Sequence, residues 1–305
     1  MISENLQSRL GKIITVSKND ELPEFDDFII PGLESGDVGI VAAPGGTGKS
    51  FLLLEIAFSV ALGQTLLKGL VVRNAGRVRL LNFEEKEKTL RHRMIWVCRN
   101  FKCEFPAENI FVSSLSNCTF PLLGKSGEIN TEYVDILKKQ ADGMSLLILD
   151  PLRMCHQSDE NDAGAMSTLV QVLKDVGETT GAGVLVAHHS SKASILSGQG
   201  NTQQSVRGSS ALVDAARLVI TLSKPKDVDS NLLELSWVKI NSHPPIETVS
   251  LSRSAGGVLV STGIDFCNRE IEKNSCIKSA EPVQSQLGGM DCSREYELGR
   301  HKGVK

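Results

Sequence analysis

VGIVAAPGGTGKSFLLLEIAFSVALG, residues 38–63, carries a strand, a glycine-rich loop and a helix in unbroken succession. VGIVAA (Val38–Ala43) is wholly apolar, as a strand covered on both faces must be. FLLLEIAFSVAL reads as a helix that ends at Gly63. Between them, Ala43-Pro44-Gly45-Gly46-Thr47-Gly48-Lys49-Ser50 has the spacing of a phosphate-binding P-loop, with alanine where the pattern has its first glycine. That position turns the chain out of the strand, and alanine serves there if its φ stays negative. The glycines let several N–H groups converge on one point, and the helix N-terminus adds partial positive charge. Pro44, Gly45, Gly46, Thr47 and Gly48 form the expected cradle; Lys49 reaches the β- and γ-phosphates, and Ser50 places its hydroxyl on Mg²⁺. A glycine-rich turn before Lys-Ser has no need of a strand on one side and a helix on the other, and this one has both.

Outward from this segment the alternation continues. Residues 78–83 (VRLLNF) and Leu146–Asp150 (LLILD) read as strands, as does GVLVAHH, Gly183–His189. EEKEKTLRHRMIWVCRN (84–100) and residues 166–176 read as helices. Residues 190–210 are rich in Ser, Gly and Gln and mark a long loop. LVITL, LLELSWVKI, ETVSLS and GVLVS then follow closely, as antiparallel strands continuing the sheet. The expectation is an α/β protein with a mainly parallel central sheet flanked by helices and antiparallel strands on the C-terminal side. Three segments are expected: an N-terminal arm or subunit-contact segment at 1–35, in which no strong element stands out, the ATPase domain at 36–262, and a polar tail at 263–305.

Composition narrows the class. The 305 residues, 41% apolar, support a sizeable core, and no apolar run reaches the 18 residues of a membrane span. The N-terminus lacks the apolar region of a signal peptide, so a cytoplasmic protein without membrane contact is expected. The seven cysteines are irregularly spaced and form no CxxC pair, which fits reduced thiols better than a metal or disulfide framework. The net charge of −3 argues against a protein that merely coats nucleic acid and leaves room for a localised basic patch.

Strand-end residues supply the chemistry. Asp150 closes a buried strand, at the crevice where ligands bind in such sheets, and would hold the Mg²⁺ shell with Ser50. Glu84 and Glu85 follow the strand at 78–83; Glu84, coming first, is the candidate to orient and deprotonate water, against the reading of both as a solvated helix start. His188 and His189 end another strand, where an imidazole can contact the γ-phosphate.

The order APGGTGKS, NFEEKEKTLRHRM, LLILDPLRMCHQSDENDAGAM, VLVAHHSSK, QQSVRGSSALVDAARLVITL and VKINSHPP resembles the plasmid RepA-type hexameric replicative helicases, among the RecA/DnaB-like motors, over roughly residues 25–260. The resemblance implies a RecA-like fold, ATP and Mg²⁺ as cofactors, and a homo-oligomeric, hexameric ring. It casts Lys49, Ser50, Asp150 and Glu84 in the roles above and makes His189 or His188 the γ-phosphate sensor. It makes Arg217 an arginine finger reaching the neighbouring subunit's nucleotide, places Arg207 ten residues before it, and has Lys239 project across the same interface. Two loops, 154–164 and 191–207, would face a central channel holding single-stranded DNA, with Lys192 and Arg207 as phosphate contacts. The first of these loops is acidic, and both lack aromatic residues for base stacking. An ATPase that binds nucleic acid or protein as a regulator or loader keeps the same fold, as does a recombinase-like filament. A small-molecule kinase would require an arginine-bearing lid, which the sequence does not offer.

Overall fold

The sheet forms because its strands are apolar on both sides. The computed structural model describes Ser17 and residues 28–116, 118–190, 210–225 and 231–262. The strands are β1 (Phe28–Ile30), β2 (Leu33–Glu34), β3 (Val38–Ala43), β4 (Val78–Asn82), β5 (Ile110–Ser114), β6 (Leu146–Asp150), β7 (Gly183–His189), β8 (Leu218–Ser223), β9 (Leu232–Ile240), β10 (Val249–Arg253) and β11 (Leu259–Ser261). The helices are α1 (Lys49–Leu62), α2 (Glu87–Phe101), α3 (Thr131–Ala141), α4 (Ala163–Thr180) and α5 (Ser210–Ala215).

Nine strands make one sheet in the order β11-β10-β9-β8-β3-β7-β6-β4-β5. From β8 through β5 every pairing is parallel. The pairings β8–β9, β9–β10 and β10–β11 are antiparallel. This is the expected arrangement, a mainly parallel sheet with antiparallel strands on its C-terminal side. Alternate residues of each strand enter opposite cores, as the period of two requires. Val41 and Ala43 join Leu146, Ile148, Leu185 and Ala187 beneath α1. Val38, Ile40 and Ala42 join Leu147, Leu149, Val184 and Val186 beneath α4.

Helix α1 is apolar on nearly every side because it is covered on every side. Leu52, Leu53, Leu54, Ile56, Ala57, Phe58 and Val60 are all buried, against the sheet and the β10–β11 end. Even Glu55 is buried; its carboxylate oxygen accepts the Leu259 N–H at 2.7 Å, and burial pushes its pKa well above the ordinary carboxylate range. That hydrogen bond ties the P-loop helix to the last strand of the sheet.

Some elements differ from the expectation. The segment before Val38 shows no strong element in sequence, yet β1 and β2 form a hairpin whose Ile30 and Leu33 are fully buried in the α1-side core. Strands of three and two residues are too short to display a period. Strand β5 and helix α3 are further additions to the expected set; β5 (IFVSS) is an edge strand with one buried residue in five. Helix α2 begins at Glu87, leaving Glu84 and Glu85 in the turn after β4 and clear of the helix.

Candidate active site

Strand order decides which side chains meet. β3, β7, β6 and β4 are consecutive neighbours in the sheet, so their carboxyl ends form one edge, the position at which parallel sheets bind ligands. In register, Ala43 stands beside His189, and Asn82 stands beside Asp150. The P-loop leaves β3 at this edge and turns into α1 through Gly48, whose φ of 108° is a conformation that glycine alone adopts readily. No side chain caps the start of α1. A Cβ placed on Gly45 or Gly46 would meet nothing within 4 Å, so the loop surrounds open space. The resulting cleft of about 400 Å³ is lined by the P-loop together with Phe51, Glu84, Glu85, Arg93, His189 and Arg253.

At its floor, Lys49 Nζ lies 3.6 Å from Asp150 Oδ1. Both residues are buried, and neither of these atoms has a hydrogen-bond partner. A buried ammonium and a buried carboxylate oxygen left this way are costly unless something comes between or beside them. The donor set fits a nucleotide's phosphates with Mg²⁺. The cation would take Ser50 and Asp150, and the phosphates would take Lys49 and the loop N–H groups. Mg²⁺ needs only one or two protein oxygens when phosphates supply others. The described residues contain no cluster of three or more His, Cys, Asp or Glu side chains able to hold a metal unaided.

Asn82, which sequence reasoning does not single out, organises the wall of the cleft. Its Nδ2 donates to Asp150 Oδ2 at 2.9 Å, and its Oδ1 accepts the N–H groups of Glu84 at 3.2 Å and Glu85 at 2.7 Å. One amide thus positions the metal-side acid and the turn bearing both glutamates. Glu85 is committed to an ion pair with Arg93, and its backbone carbonyl accepts the Ser114 hydroxyl at 2.6 Å. Burial pushes the Glu85 carboxyl above its ordinary range; Arg93 opposes this, and Asp150 and Glu84 reinforce it. Glu84 is half-exposed in the cleft, with Oε1 4.0 Å from His189 Nε2. Burial, then the charge of Lys49, lowers the His189 pKa, and Glu84 and Asp150 act the other way. The imidazole is therefore neutral at neutral pH, able to donate one hydrogen bond and accept another. His188 is not part of the cleft lining and is buried within β7.

Arg217 and Lys239 stand elsewhere. Arg217 donates its N–H to Val38 O, at the start of β3, and Lys239 pairs with Val219 across β8–β9. The P-loop leaves the other end of β3, about 17 Å away at the usual rise per strand residue. Neither side chain lines this chain's own cleft. Arg217 is 52% exposed, with Nε 3.9 Å from Asp37 Oδ1. Lys239 Nζ donates to the carbonyls of Val213 and Asp214 at 3.0 and 2.7 Å, at the end of α5. Lys192, Arg207, the loop at 191–207 and the tail lie outside the described residues. The other expected channel loop, 154–164, is more firmly packed than its polar composition suggests. Cys155, His156 and Ser158 are buried, and His156 Nδ1 contacts Ser158 O at 3.2 Å. Asp162 caps α4 by accepting the Gly164 and Ala165 N–H groups. A larger groove of about 720 Å³ between α2 and β5 is mostly apolar and holds none of the strand-end groups.

A parallel sheet edge that joins a P-loop lysine and serine to a strand-end aspartate, with a glutamate and a histidine beside them, defines a P-loop ATPase of RecA-like fold. Residues 7–194 match the AAA domain family, and the chain belongs to that family. Among solved structures, it is similar to one described as an ATPase domain, at 17% identity and a TM-score of 0.52, covering 75% of this chain and 85% of that one. At that identity the likeness speaks for the fold. No helix among the described residues is long and apolar enough to cross a membrane.

If Asn82 positions the site, Asn82→Ala should lower ATP turnover by about 10²-fold, the usual cost of a small misplacement of reacting groups. Circular dichroism should remain native. Steady-state hydrolysis checks this, and turnover equal to the wild type would remove Asn82 from the machinery.

Proposed function

We propose that the protein is an ATP-hydrolysing motor that assembles as a ring, a replicative DNA helicase of the plasmid RepA type from a plasmid, phage or mobile element, translocating on single-stranded DNA in the cytoplasm. The observation that carries this reading is the position of Arg217. It is exposed, and it sits at the opposite end of β3 from its own P-loop. An arginine so placed serves a phosphoryl group only when a second copy packs head to tail and brings its cleft to that edge. In hydrolysis, Lys49 and the loop N–H groups hold the β- and γ-phosphates, and Ser50 and Asp150 hold the metal side. Bound Mg²⁺ neutralises charge on the phosphate oxygens. Glu84 takes a proton from the attacking water as its oxygen bonds to the γ-phosphorus and the bond to ADP breaks. His189, neutral and beside Glu84, is suited to hydrogen-bond the γ-phosphate and pass its presence to the chain that follows β7. Arg217 of one subunit, with Lys239 beside the same edge, meets the nucleotide of the next, and Lys192 and Arg207 contact DNA phosphates.

A second reading draws on the acidic, packed loop at 154–164, which offers little to DNA: a RecA-like ATPase that regulates or loads, binding nucleic acid or protein without unwinding. ATP hydrolysis measured with and without single-stranded DNA, alongside strand separation of a forked duplex, separates the two. Stimulated hydrolysis with unwinding is the expected result; hydrolysis indifferent to DNA, without unwinding, contradicts the helicase reading. The trans role has its own check. Arg217→Ala should bind nucleotide normally yet lose hydrolysis by ~10³-fold or more, the scale of an arginine finger. Mixing it with Asp150→Asn subunits should restore activity, since some interfaces then combine an intact cleft with an intact arginine. Mixed rings as inactive as either parent would count against action across the interface.

A further inference from the structure

Among the described residues, three cationic side chains line the cleft: Lys49, Arg93 and Arg253. Two of them have carboxylate partners, Lys49 with Asp150 and Arg93 with Glu85. Arg93 also lies over the Phe51 ring, 5.0 Å from its centroid. Arg253 has no carboxylate partner among the described residues, and its Nε is buried without a hydrogen bond. The guanidinium's one hydrogen bond there runs from Nη2 to the carbonyl oxygen of Gly46, at 2.7 Å, and joins residues 207 apart in the chain. The same nitrogen lies 3.9 Å from where a Cβ on Gly48 would stand. The guanidinium therefore lies along the phosphate-binding loop itself.

The root of this side chain is fixed. Arg253 ends β10, and the turn after it is anchored on α1 and α2. Ser254 Oγ donates to Asn100 Oδ1 at 2.8 Å, and the Gly257 N–H donates to Ser254 O at 3.1 Å. Gly257, at φ +90°, comes so close to Phe51 that a Cβ there would stand 2.9 Å from the ring. The next strand, β11, is tied to α1 through the Leu259–Glu55 hydrogen bond. The arginine is thus held in position before any ligand arrives, so little ordering cost remains to be met on binding.

A guanidinium carries five N–H donors and keeps its charge at any pH a protein tolerates. Here one donor is used, by a neutral carbonyl, and no carboxylate of the described residues lies within ion-pair distance of the guanidinium. Such a group is satisfied when an anion enters the cleft and accepts charge-assisted hydrogen bonds. We infer that Arg253 is a nucleotide-binding residue supplied by the same chain: it fixes the P-loop through the Gly46 carbonyl and donates to the phosphate chain of the bound nucleoside triphosphate. The antiparallel extension is then part of the ATP site, although Arg253 stands 207 residues from Gly46 in the chain. The inference rests on the reading of this cleft as the ATP site.

Fluorescence titration with Mg²⁺ and an N-methylanthraniloyl derivative of a non-hydrolysable ATP analogue tests it, using the full chain as wild type, Arg253→Gln and Arg253→Ala, each with a melting curve taken without ligand. Both variants should keep the ligand-free melting temperature. Both should bind about ten- to a hundred-fold more weakly, as the loss of hydrogen bonds from a charged donor implies. Wild-type affinity in Arg253→Gln, with or without a lowered melting temperature, would overturn the inference and leave Arg253 as a structural tether. The glutamine variant decides the matter should the alanine variant fail to fold. Absence of binding by the wild type would instead contradict the nucleotide reading of the cleft itself.

Discussion

The Lys49 ammonium and the Asp150 carboxylate face each other at 3.6 Å, buried where α1 begins beyond β3 and where β6 ends, and neither of the facing atoms is hydrogen-bonded. The rest of the molecule accounts for how this costly arrangement persists. Strand β7 separates the two strands and leaves the loop room to turn above it. Glycines carry the loop, so Lys49 returns over the edge of the sheet, and Asn82 on β4 holds the other carboxylate oxygen of Asp150. Two apolar cores, one on each face, keep the strands in register. Burying an aliphatic side chain is worth ~1.5–3 kcal/mol. Many such side chains together offset the cost of burying these charged groups.

The same arrangement puts the P-loop cleft and the exposed Arg217 at opposite ends of the parallel strands. In the proposed ring, stacking copies head to tail would join these two ends, so each chain would hold a nucleotide alone and complete hydrolysis only beside a neighbour. Glu84 and His189 are partly exposed and 4.0 Å apart, whereas Glu85 is ion-paired with Arg93.

Much of the fold is legible in the sequence because the signals are local. A wholly apolar six-residue strand, a glycine-rich loop and an apolar helix are adjacent in the chain, and the parallel core follows from repeating that alternation. The strand-end positions of Asp150 and His189 are likewise readable from where the apolar runs stop. What escapes such reading depends on strand order. Asn82 gains meaning only because β4 pairs with β6, and Arg253 only because the final strands fold back against α1. The β1–β2 hairpin and β5 escape for another reason: too few of their residues are buried to imprint a pattern. The polar, acidic composition of 154–164 suggests a free loop, but buried Cys155, His156 and Ser158 anchor it. Polar composition alone does not reveal that a backbone is docked.

In the proposed ATPase, Lys49 and Asp150 meet around the phosphates of ATP. Mg²⁺-dependent ATP hydrolysis by the wild type and by Lys49→Ala, with circular dichroism confirming that both are folded, tests it most directly. Turnover is expected in the wild type and none above background in the variant. Equal turnover in the two proteins, or a wild type inert toward ATP under all conditions of DNA and Mg²⁺, would contradict it.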